Sequence, residues 1–205
     1  MITKWLKSLP LPLLRNVFLL MAVGFLFIYS ATFRTSDVFI SRQLTWMLIS
    51  IFCIFLTVWL GYRFFLSISY ALYAVGLLML IAVAINGAIR LGAQRWIEIG
   101  PLSFQPSEFV KLSLILALAN FLGSRDVWEG EGRAALTVGA LVGVPFLMIV
   151  KQPDLGTAMV LIPTGIAVLL IWGIRYRYLI VSFLIGLLAS PLIWNFLKPY
   201  QKKRI

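Results

Sequence analysis

Two short polar stretches hold most of the side chains in this chain that could do chemistry in an apolar setting. In the first, FQPSEFVK at residues 104–111, Gln105, Ser107, Glu108 and Lys111 surround Pro106, whose fixed φ suits the first turn of a helix. Glu108 then meets the free N–H groups of that turn. Lys111 follows at i+3 on the same face, with the acid N-terminal to the base. At 1.5 Å per residue the ammonium stands roughly 7 Å into the helix. Left alone in a bilayer it would cost about 2.5–3.5 kcal/mol, so it needs a partner or water. Two readings follow. Either a first-turn carboxylate sits beside a snorkelling lysine, or the pair lines a polar cavity facing the bundle interior.

The second stretch, KQPDLGT at residues 151–157, repeats the design. Gln152 precedes a proline, Asp154 stands just before a new apolar run, and Gly156 with Thr157 allows close backbone approach. Asp154 is either the N-cap of the next helix or a second carboxylate converging with Glu108 and Lys111 on one site. Arg95 could join them, since a guanidinium fork matches pyrophosphate geometry better than an ammonium does. Such a site would suit an anionic, lipid-linked substrate. Trp96 reads as an interfacial anchor. The other acids, Asp37, Glu98, Asp126, Glu129 and Glu131, read as solvated loop and turn residues.

The elements that must position these groups are membrane helices. Of 205 residues 61% are hydrophobic and 12% charged, with mean hydropathy +0.99; a soluble domain is about a quarter charged. With a window of roughly 20 apolar residues, seven spans are expected: 13–33, 44–61, 66–89, 106–122, 134–150, 157–173 and 178–197. The fold class is therefore all-α, a polytopic helical bundle. No internal repeat or soluble domain interrupts it, so residues 1–205 read as one transmembrane domain. The net charge of +11 is scattered over short loops, which points to membrane lipids as partners and not to nucleic acid. With no His and one Cys, Cys53, a His/Cys metal site is excluded. Cys53 itself reads as a buried thiol. Lys4, Lys7 and Arg15 at the start of the first span favour a cytoplasmic N-terminus, which puts both polar stretches on the outer side.

GAQRWIEIGPLSFQPSEFVKL and KQPDLGTA together resemble the SEDS family (shape, elongation, division and sporulation) of bacterial membrane proteins, and the resemblance covers essentially the whole chain. The form QPDLGT is more similar to the RodA elongation branch than to the FtsW division branch. The resemblance implies a ten-helix enzyme of the bacterial cytoplasmic membrane, a peptidoglycan glycosyltransferase that polymerises lipid II at the outer face. It also implies a partner, a monofunctional penicillin-binding transpeptidase. Arg95, Gln105, Ser107, Glu108, Lys111 and the stretch from Gln152 to Thr157 match the family's motif positions, with Glu108, Lys111 and Asp154 in its central cavity. The family's catalytic aspartate is expected on a long outer loop beyond residue 205, ahead of three further helices, so residues 1–205 alone are expected to be inactive. No cofactor is evident; a divalent cation could share the diphosphate charge, but no residue pattern demonstrates one. A lipid II flippase and a non-catalytic scaffold for the transpeptidase are the rival readings.

Overall fold

A computed structural model of the chain describes residues 11–33, 37–90, 93–99, 102–124, 130–152, 154–181 and 184. The chain falls into two compact units, Met1–Phe65 and Leu66–Ile205. The first contains α1 (Leu11–Thr32) and α2 (Asp37–Leu60), and the short α3 (Tyr62–Ser67) begins in it. Both long helices are apolar enough to cross a membrane, and neither buries any of its membrane-length window in protein. Among the described residues nothing covers them, and their length and composition suit hydrocarbon surroundings. Cys53, read from sequence as buried, is exposed on α2: an apolar run looks the same whether protein or lipid surrounds it.

The second unit holds α4 (Ser69–Asn86), a three-stranded antiparallel sheet, α5 (Pro106–Gly123), α6 (Glu131–Lys151) and α7 (Leu155–Trp172). Apolar positions at helical spacing form its core. Val110, Leu114, Ala117 and Leu118 of α5 form one cluster with Leu80 of α4, Val138, Val142 and Ile149 of α6, and Ala158 and Leu161 of α7. Spacings of three and four place them on one helix face. Lipid supplies no hydrophobic drive between helices, so close packing and hydrogen bonds must hold them. Gly165 lets α7 approach α6 so closely that a Cβ there would lie 2.7 Å from Val142 Cγ2. Tyr73 Oη donates to Leu141 O at 2.7 Å, and Asn120 Nδ2 donates to Leu66 O and Ser69 Oγ at 3.1 and 2.9 Å.

Of the seven expected spans, α1, α2, α5, α6 and α7 are long and apolar enough to cross, and α4 is a shorter apolar helix. The span expected at 66–89 stops at Asn86, where Gly87 ends it in extended backbone. The one expected at 178–197 lies almost wholly outside the described residues, as do Asp126 and Glu129 of the loop before α6. Glu131 is more than a solvated loop acid. It opens α6 and takes both the Arg175 backbone N–H at 3.0 Å and its Nε at 2.9 Å, fixing the chain after Gly173, whose φ of +96° ends α7 in the left-handed region.

Candidate functional site

The segment between α4 and α5, expected to be plain loop, is a sheet of β1 (Ala88–Arg90), β2 (Ala93–Ile99) and β3 (Leu102–Phe104). Its hairpins close where Arg90 faces Ala93 and where Ile99 faces Leu102. Two residues stand between the partners in each case, and both pairs include a glycine, Leu91–Gly92 and Gly100–Pro101. Two-residue, glycine-containing gaps beside the β-branched alternation of RWIEI are the signal from which the strands were legible.

The register carries a bulge. Ala88 faces Trp96 while Ile89 faces Gln94, so Arg95 is the extra residue of β2 with no opposite number on β1. Bulges bend a strand and redirect a side chain. Here Arg95 Nη1 lies 3.2 Å from Asp154 Oδ1.

Asp154 is the hub of the arrangement. Its side chain is 8% exposed and that of Arg95 23%. Gln105, in extended backbone before α5, makes no cap with its side chain. Instead its Nε2 donates to Asp154 Oδ2 and to Ser107 Oγ, both at 2.9 Å. Thr157 donates its backbone N–H to Oδ1 at 3.4 Å and its hydroxyl to Oδ2 at 3.0 Å. Asp154 thus caps α7 and at the same time ties α7 to the sheet and to the start of α5. Three hydrogen bonds and one ion pair thus converge on a single carboxylate. Among the described residues, buried Arg95 Nε has no hydrogen-bond partner, an unspent donor of a kind that native structures rarely leave.

Glu108 and Lys111 are joined as expected, Oε1 to Nζ at 2.8 Å, but in a more open setting: Glu108 is 56% exposed and Lys111 26%. Ser107, one residue earlier, is buried, so consecutive residues of the first turn face the hub and the open side in succession. No hydrogen bond or ion pair joins the pair to Asp154 among the described residues. Gln152 goes elsewhere: it is buried and its Nε2 donates to Leu80 O at 2.8 Å, pinning α4 to the α6–α7 turn. The structure therefore brings Arg95, Gln105, Ser107, Asp154 and Thr157 together, sets Glu108 and Lys111 beside them, and uses Gln152 as a brace. For the Arg95 and Asp154 contact to form, the α4–α5 connection and the α6–α7 turn must occupy one end of the second unit. No cluster of metal-ligating side chains occurs among the described residues.

Comparison with known proteins places these features in a context. Residues 11–205 match the family of cell cycle proteins typified by FtsW, RodA and SpoVE. The peptidoglycan glycosyltransferase MrdB of Escherichia coli strain K12 is 36% identical over 135 residues, which cover 65% of this chain and 36% of that protein. The stage V sporulation protein E of Bacillus subtilis is 33% identical over 198 residues, 91% of this chain and 54% of the relative. A chain solved in a peptidoglycan synthase complex that coordinates polymerization and crosslinking superposes with a TM-score of 0.82 at 31% identity, over 96% of this chain and 58% of that one. The chain thus spans little more than half the length of these proteins, or less.

Proposed function

The chain belongs to the FtsW, RodA and SpoVE family of multi-pass membrane proteins, and on that footing we propose that it forms the N-terminal part of a peptidoglycan glycosyltransferase. In this reading it sits in the bacterial cytoplasmic membrane with its N-terminus inside. Lipid II is polymerised at the outer face: one 4-hydroxyl attacks the anomeric carbon of the growing strand, and undecaprenyl diphosphate leaves. The observation that supports it most is the meeting of Arg95 with Asp154 and Gln105 next to an open Glu108 and Lys111 pair. Cationic donors held at one end of a helical unit are what a departing diphosphate needs. The QPDLGT form supports the elongation branch, and a monofunctional transpeptidase is the partner in keeping with the synthase complex.

Within this proposal Asp154 positions Arg95, which it meets at 3.2 Å, and is not the base. A base must reach within about 2.6–3.2 Å of the attacking hydroxyl, and the resemblance puts it on the loop after residue 205. The test is a lipid II assay in liposomes with residues 1–205 beside a full-length relative. Glycan ladders are expected from the relative and none from residues 1–205. Lipid II changing leaflet without ladders would replace polymerase with flippase. Ladders from residues 1–205 that vanish in Asp154→Asn would move the base into this chain. Reporter fusions after Asn86 and after Lys151 should read as external; the reverse pattern would put the site on the wrong face.

A further inference from the structure

Within the first unit, between α1 and α2, lies an open groove of about 470 Å³ that the reading above does not use. The walls are hydrocarbon and aromatic: Phe27 and Ile28 from α1, Phe39 and Trp46 from α2. Polar groups are few. Thr32 already donates its hydroxyl to Ile28 O at 2.7 Å, leaving only lone pairs to offer. Arg42 and Gln43 have no hydrogen-bond or ion-pair partner among the described residues. Arg42 stands five residues into α2, roughly 7.5 Å along its axis, on a helix long and apolar enough to cross a membrane. A lone guanidinium there needs an anion.

We propose that this groove holds one anionic glycerophospholipid. Its acyl chains lie against Phe27, Ile28, Phe39 and Trp46. The phosphodiester accepts from the Arg42 fork, which suits two oxygens of one phosphate, and from the Gln43 amide. The charge of the described lining favours this occupant. Arg42 is the one charged residue among the described lining residues, so a phosphodiester with a single negative charge is matched. A polyprenyl diphosphate would bring further negative charge to be left unpaired in an apolar wall. The site depends on the first unit alone, so its fate and that of the glycosyltransferase reading are separable.

The experiment is native mass spectrometry of the whole chain released from nanodiscs, with phosphatidylglycerol and phosphatidylcholine of identical acyl chains in competition. A charge-assisted contact of about 1.5–3 kcal/mol corresponds to a preference for phosphatidylglycerol of at least about tenfold. Arg42→Gln should bring the ratio close to one. Arg63→Gln, removing an exposed cation elsewhere on the chain, should leave it unchanged. Arg42→Lys keeps the charge and the fold while losing the fork, and should fall between. The proposal is overturned by equal retention of the two lipids, by a preference that survives Arg42→Gln, by Arg63→Gln abolishing it equally, or by Arg42→Lys matching the wild type. Displacement of phosphatidylglycerol by equimolar undecaprenyl diphosphate, or by inorganic phosphate alone, would overturn it as well.

Discussion

The carboxylates of Asp154 and Glu108 both sit at the start of an apolar helix and both face a cation, yet they are held in opposite ways. Asp154 is buried and takes donors from three separate elements, one of them a glutamine 49 positions away. Glu108 is more than half exposed and is held by its own helix, three residues from Lys111. A buried, many-partnered ion pair is expensive to break because the survivor stays desolvated. A local, solvent-facing pair is worth a few tenths of a kcal/mol. The first arrangement suits a fixed scaffold, the second a group free to meet a ligand.

The comparison breaks most readily at Asp154. Asp154→Ala strands the Arg95 guanidinium and Gln105 and removes the α7 cap, so a loss of about 3 kcal/mol is expected, toward the low end for buried pairs because Arg95 keeps some solvent access. Unfolding of the membrane-embedded chain in mixed micelles would measure it, and Asp154→Asn should lose less because an amide oxygen still accepts from Thr157. A loss under ~1 kcal/mol for the alanine variant would mean that the hub carries no load.

Packing provides the next effect. Gly165→Leu forces side-chain atoms into Val142, which a Cβ alone would approach to 2.7 Å. Overpacking of this kind costs about 1–3 kcal/mol, readable in the same unfolding assay. If stability held, α6 and α7 would have to separate without penalty, contrary to the close contact described.

Gln105→Leu removes one charge-receiving hydrogen bond and should cost about 1.5 kcal/mol. Its diagnostic is non-additivity with Asp154→Ala, since the two residues share the bond at 2.9 Å. Strict additivity would detach Gln105 from the hub.

The smallest expected stability effect is at the open pair. Glu108→Ala and Lys111→Ala should each change unfolding by less than ~0.5 kcal/mol. In a full-length chain carrying the glycosyltransferase activity proposed above, each should abolish most polymerisation, with the double variant no worse than the worse single. Large stability losses at Glu108 would erase the contrast, and additive activity losses would make the two residues independent.

The sequence by itself determined what local rules control. Runs of apolar residues located the helices, Pro106 and Asp154 marked two helix starts, and Glu108 with Lys111 was legible as a pair because i+3 neighbours meet on any helix. It also told that Arg95 and Asp154 could share a site, but not that they touch, nor that Lys111 stays out of the contact. Only the tertiary structure decided that. The bulge that redirects Arg95 arises from the pairing of two strands, Gln152 turns to Leu80 because α4 happens to pass there, and Cys53 is exposed because no described helix of its unit covers it. Hydropathy reports how apolar a neighbourhood must be and not which atoms fill it. Those partners are set by the placement of segments far apart in the chain, which no window of nearby residues contains.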